Sequence, residues 1–278
     1  MHPNRMSPFR WKAVHGSDAL SFVTTNDASY PDMDPKTVNL VVAALMTCVS
    51  LLYATVGQAG GTAFLAIMAL WGFPAAEMRP TALFLNIIAA GYATWLLQRR
   101  GTLNWKALAP LTVPSVITAF AGGLLVLSGT AYSIATGLLL IAAAMLVVFP
   151  RAAGPVEAQP VGLLPMAFAG AGAGFVSGLT GVGGGVFLSP LLVVLGWFSA
   201  RGAAAISPPF ILCNSIVGLA GVWLAGQRFA VWAPLYAFGV LGGAIAGSAI
   251  GIRWMSEGVT RRVLAALLFF AGLRLVVR

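Results

Sequence analysis

Two stretches of this chain place backbone amides where a continuous helix would otherwise hide them. They are Gly57-Gln58-Ala59-Gly60-Gly61-Thr62 and, about 124 residues later, Thr180-Gly181-Val182-Gly183-Gly184-Gly185. Glycine lies roughly 1 kcal/mol below alanine in helix propensity, so clustered glycines open a helix. The chemistry this offers is anion binding. An unwound turn exposes the free N–H groups at the start of the next half-helix, and those donors act with the positive end of its dipole. Thr62 is placed to cap the first half-helix, and Gln58 and Thr180 add polar groups beside the breaks. Asn86 and Asn214 lie deep in apolar runs, after Pro80 and Pro208 respectively. A membrane asparagine serves either a substrate or a neighbouring helix, and both roles stay open. The candidate substrate-binding set is Gly57, Gln58, Gly60, Gly61, Thr62, Asn86, Thr180, Gly181, Gly183, Gly184, Gly185 and Asn214.

The surroundings argue against other chemistries. The second cluster follows an apolar helix rather than a strand and has no acidic residue about 20 positions on. It also lacks a glycine–lysine–serine/threonine ending, so neither a dinucleotide fingerprint nor a phosphate loop fits. Ser177, Ser189, Ser207, Ser215 and Cys213 could be nucleophiles, yet no His, Lys or Asp lies within the apolar segments to activate them. His2 and His15 belong to the amino-terminal stretch, and Cys48 and Cys213 lack metal-site or redox spacing. No catalytic residue, metal or cofactor is expected. Glycine also has a plain packing use nearby. Ladders at Gly170, Gly174 and Gly178, and at Gly239, Gly243, Gly247 and Gly251, let helix backbones approach closely. The second ladder suits packing within one chain or in a homo-oligomer.

The elements that must position these groups are membrane helices. Charged residues are 8% of the chain, apolar residues 59%, and the mean hydropathy is +0.91, outside the range of soluble domains. No charge falls between Lys36 and Glu77, between Lys106 and Arg151, or between Glu157 and Arg201. Each run is long enough for a span of about 20 residues, or for more than one dip into the bilayer. The net charge of +9 reads as cytoplasmic loop charge rather than a nucleic-acid surface. The spans hold no charge at mid-depth; Glu77 and Arg79 stand at a helix entrance and Arg274 near the last helix's end.

The chain divides into an extramembrane stretch (1–36), a first membrane half (37–150), a linker (151–161) and a second half (162–278). The first stretch is either a polar tail or lies ahead of a natural start at Met33. The halves recur in sequence. Pro80, Asn86, Trp95 and Arg100 match Pro208, Asn214, Trp223 and Arg228, while Gly60-Gly61 and Phe64-Leu65 match Gly183-Gly184 and Phe187-Leu188. The change in spacing predicts about four extra residues near 202–206. Each half reads as an entry helix (38–56, 163–180), a glycine break and a helix too short to span (62–72, 186–196). Three spans follow each, at 79–98, 106–127 and 131–149, then 203–225, 230–252 and 260–277. The fold class expected is an all-α, polytopic membrane protein. A re-entrant hairpin in each half leaves an odd number of crossings, which inverts the second half relative to the first. Loop charge supports this, gathering Arg99, Arg100, Lys106, Arg151, Arg201, Arg253, Arg261 and Arg262 on one face. The positive-inside rule makes that face cytoplasmic.

The run from Gly178 through Gly181-Val-Gly-Gly-Gly185 to Gly196 resembles the glycine-rich signature of the TauE/SafE (TSUP) family of membrane transporters. The likeness spans roughly residues 38–277. The first break departs from it, with Gln58-Ala59 and with Thr62 in place of a third glycine. The resemblance implies export of sulfite, organosulfonates or other small sulfur-containing anions across a bacterial inner membrane. The partners implied are a small anion and the lipid bilayer, with no nucleic acid. An anion channel or a membrane assembly factor is the alternative. Anion efflux by alternating access is the mechanism expected, because inside-negative potential favours it by about 2.3 kcal/mol per charge per 100 mV.

Overall fold

In hydrocarbon each backbone segment must satisfy its own hydrogen bonds, which leaves the helix as the solution for chains of this composition. The computed structural model describes residues 34–55, 58–148, 161–250 and 257–277, and its regular elements there are helices. They are α1 (Pro35–Thr55), α2 (Gly61–Leu70), α3 (Ala75–Arg99), α4 (Trp105–Leu124) and α5 (Gly129–Val148). After them come α6 (Leu163–Thr180), α7 (Gly185–Val194), α8 (Ala200–Leu224), α9 (Ala233–Ile250) and α10 (Glu257–Val277). Among the described residues, seven helices (α1, α3, α4, α5, α6, α8 and α9) are long and apolar enough to cross a membrane. Residues 1–33, the expected linker at 151–160, residues 251–256 and the candidate Gly57 lie outside the described residues.

Local chemistry sets the ends. Asn104 caps α4 by accepting from the Ala107 N–H at 3.2 Å, and Ser199 caps α8 by accepting from Gly202 at 3.1 Å. Gly181, at φ 85°, terminates α6 in the left-handed conformation.

Facing residues give the helix directions. Gly170, Gly174 and Gly178 of α6 abut the carbonyls of Leu111, Ser115 and Ala119 of α4 in the same order, so the two helices run parallel. Gly239, Gly243 and Gly247 of α9 climb α1 past Ala43, Thr47 and Leu51 in the same sense. Ser115 meets Asn214 and Gly123 meets Gly221, making α4 and α8 parallel. Thr81 meets Ala230 and Tyr92 meets Ser248, bringing α9 up alongside α3 in the same direction. By contrast, Leu83 lies on Gly218 and Gly91 on Leu212, so α3 and α8 are antiparallel. Helices α1, α3 and α9 therefore run one way and α4, α6 and α8 the other. Each of α1, α3 and α4 opposes the helix five elements further on.

The short helices double back. Gly61 starts α2 beside Asn86 in mid-α3, and α2 returns to the turn that begins α3. Gly185 faces Ile211 and Ser189 faces Ser207, so α7 runs antiparallel to α8. The halves interlock rather than form separate lobes. The entry helix of each packs on the fourth helix of the other, α1 on α9 and α6 on α4, and α5 pairs with α10. Residues Met33–Arg278 accordingly make one compact unit.

Candidate functional site

The two breaks meet. A Cβ on Gly61 would fall 2.5 Å from the Val182 carbonyl and 2.6 Å from Asn86 Oδ1, so the start of α2 lies directly against the second break. Asn86 fills the seam between them: it packs on Gly61 and on Gly183, and its Nδ2 donates to the Gly181 carbonyl at 3.3 Å. Its Oδ1 is buried with no partner. The turns adopt left-handed backbone at Gly60 (φ 94°), Gly181 (85°), Gly183 (88°) and Gly184 (74°). A residue with a Cβ resists that region by about 1–2 kcal/mol, which explains glycine at these positions.

Both half-helices begin without a side-chain cap. Gly60 is the N-cap of α2 and gives its carbonyl to the amides of Ala63 and Phe64 at 3.0 Å; Gly184 does the same for Phe187 and Leu188. The amides of Gly61 and Thr62, and of Gly185 and Val186, belong to the first turns, where no helix carbonyl is available to them. Two positive helix ends thus open into one buried seam.

Several expected site residues are turned elsewhere. Thr62 does not cap α2: it is the second residue of that helix, fully buried, with its hydroxyl bonded to Tyr53 Oη at 2.9 Å. The left-handed Gly60 has taken the cap position instead. Thr180 donates back to the Val176 carbonyl at 2.7 Å, one turn earlier in α6, while its own carbonyl accepts from Tyr132 Oη at 2.9 Å.

The two matched asparagines are not placed alike. Ile211, one turn before Asn214, packs on Gly183 and Gly185, while Asn214 accepts from the Ser115 hydroxyl of α4. The bounds of the equally long α3 and α8 explain this. They differ by 125 residues, whereas the matched asparagines differ by 128. The extra residues begin α8 almost a turn early, and Asn214 rotates away from the break.

Gln58 is half-buried and lines a cavity of about 370 Å³. Ser50, Tyr92, Ala93, Ala204, Pro208 and Ser248 form much of its wall, and Arg100 and Thr102 stand where it reaches the turn after α3. The cavity is therefore framed by α1, α3, α8 and α9 and leads from an exposed arginine to the first break. Apolar walls with few polar groups are the usual lining of a small-molecule site. Sequence reasoning missed this cavity, because its walls are alanines, serines and a tyrosine with no motif of their own.

It also missed the burial of Arg79. That residue stands near the entrance of α3, as expected, but its side chain is fully buried. Its Nη1 donates to the Leu125 carbonyl at 2.7 Å, and its Nη2 to the carbonyls of Gly122 (3.3 Å) and Gly123. These close the carboxyl end of α4, where a cation also meets the negative end of the helix dipole. Gly181 packs over it, and a Cβ there would come within 2.9 Å of the Arg79 carbonyl. No pattern in the sequence marked this burial, because the carbonyls that hold the guanidinium belong to α4 and meet it only in the folded chain.

A family model described as "Sulfite exporter TauE/SafE" matches residues 42–275. A protein of Sinorhizobium fredii named as a probable membrane transporter is 32% identical over 255 residues, covering 88% of this chain and 100% of that protein. A second protein with that type of name, from Methanocaldococcus jannaschii, is 29% identical over 142 residues, half of this chain and 53% of its own length. No solved structure matches the chain.

Proposed function

The chain belongs to the sulfite exporter TauE/SafE family, an integral membrane transporter family, and on that premise we propose that it exports small anions, sulfite or organosulfonates, by alternating access. The observation that carries this reading is the meeting of two uncapped half-helix starts at Asn86, with a cavity reaching the first break. Backbone donors and helix dipoles are suited to hold an anion without a fixed counter-charge. The opposed directions of α1 and α6, α3 and α8, and α4 and α9 support an inverted pair of halves rocking about that seam. A bacterial inner membrane, with its inside-negative potential, is the setting in which efflux needs no coupled ion. At 100 mV a monoanion gains about 2.3 kcal/mol, roughly a fiftyfold gradient.

Purified protein in proteoliposomes tests this. Efflux of sulfite or a sulfonate that saturates at low millimolar concentration and follows an imposed potential is expected. Flux that does not saturate would favour an anion channel, and no anion flux at all would reject the reading.

A further inference from the structure

Arg79 ties together the end of the molecule opposite the cavity. It lies near the start of α3, and the carbonyls it holds lie at the finish of α4, so this end is the one away from the turn at 100–104. The neighbouring contacts are equally close there. Gly178 of α6 abuts the Gly123 amide of α4, with a Cβ there only 2.9 Å away, and Tyr132 of α5 holds the Thr180 carbonyl. At the other end the corresponding place is open. Arg79 is the fifth residue of α3; the fifth residue of the equally long α8 is Ala204, which lines the cavity together with Ala205 and Pro208. A large cation fills one end and an alanine leaves the other hollow.

Resting on the alternating-access reading above, we infer that Arg79 is a positioning residue that latches the closed end, releasing the α4 carbonyls when that end opens. A guanidinium removed from water requires acceptors in every state it visits. In the closed state the carboxyl end of α4 supplies them. Its Nε has no partner, so the carbonyls leave one donor unused. An anion arriving at the adjacent second break is a stronger, charge-assisted partner than a carbonyl. Competition for the guanidinium thus gives the substrate the differential affinity that a conformational change requires.

Thiol accessibility tests the latch. In full-length protein with Cys48 and Cys213 replaced by alanine, Thr180→Cys reports on the latched end and Ala93→Cys on the cavity. A membrane-impermeant thiol reagent is applied from each face of oriented vesicles. With Arg79 intact, Ala93→Cys labels from the face of the 100–104 turn and Thr180→Cys labels slowly from the other. Arg79→Gln raises Thr180→Cys labelling from that other face roughly tenfold or more, the scale of a lost charged hydrogen bond. Arg79→Lys, which keeps charge but not the fork, raises it less. Should Arg79→Gln fail to fold, Arg79→Lys and Tyr132→Phe decide, each expected to give a smaller increase. Unchanged labelling in the folded variants makes Arg79 a static bolt and overturns the latch. Increased labelling in protein that carries no anion would instead retain the latch and reject the transport reading.

Discussion

Asn86 joins the two glycine turns, whereas Asn214 joins two ordinary helices, and their replacement separates binding from packing. Asn214→Ala strands the Ser115 hydroxyl and is expected to cost about 1 kcal/mol of stability while leaving anion flux intact. Asn86→Ala empties the seam between Gly61 and Gly183 and is expected to reduce flux about tenfold or more, with a comparable or smaller loss of stability. Melting temperature and proteoliposome flux, measured on both variants, check this; equal flux in the two would move the anion away from the seam. Gly184→Val forces a β-branched residue to φ 74° with its Cβ 2.9 Å from the Ala173 carbonyl. A destabilisation of about 1–3 kcal/mol and loss of any ligand-induced thermal shift by sulfite are expected. A retained shift would place the anion away from the start of α7. At this scale the glycines of the turns were legible in sequence, because only glycine tolerates those φ values. Thr62 was not, because its partner Tyr53 is brought to it only by the hairpin.

Among the elements, the α4–α6 seam is the most demanding. Gly174 and Gly178 lie so close to α4 that a Cβ would overlap the Ser115 and Ala119 carbonyls, and backbone cannot move aside as a flexible side chain can. Gly174→Leu is therefore expected to abolish folded protein. Gly172→Ala on the same helix, with nothing within 4 Å, is expected to be neutral or slightly stabilising through helix propensity. Size-exclusion profiles and melting temperatures of the two variants check the contrast. The ladder was readable from its four-residue period, and so were the helices: the ten expected segments occur, including two too short to span. The partner of the ladder was not readable. Small residues announce a close approach but not which helix approaches, and here the carbonyls come from the fourth helix of the other half-chain.

For the molecule as a whole, the parallel course of α3 and α9 puts the turn after α3 and the chain leaving α9 at one face. Reporter fusions after residues 103 and 258 are expected to show that both face the cytoplasm, in keeping with Arg99, Arg100 and Lys106 in and beside the turn between α3 and α4. Opposite locations would contradict the helix directions, and two non-cytoplasmic locations would reverse the orientation while leaving the fold intact. The same architecture locates the described cavity on the Arg100 side, so anions from that face would meet Arg100 before Gln58. Arg100→Gln is expected to raise KM for the anion several-fold with little change in maximal flux, since an exposed charge contributes modestly and is screened by salt. An unchanged KM at low ionic strength would separate the cavity from the anion's path.

By itself the sequence determined that this is a helical membrane protein with two glycine-opened breaks, because hydropathy and glycine propensity act locally along the chain. It also carried the family, in the run from Gly178 to Gly196. Only the tertiary structure decided that the breaks touch, that Asn86 lies between them while Asn214 turns to Ser115, and that Arg79 is buried against the end of α4. Those facts depend on helix rotation and register. A shift of three residues turns a side chain by most of a helical turn without changing anything a periodicity or a composition can register.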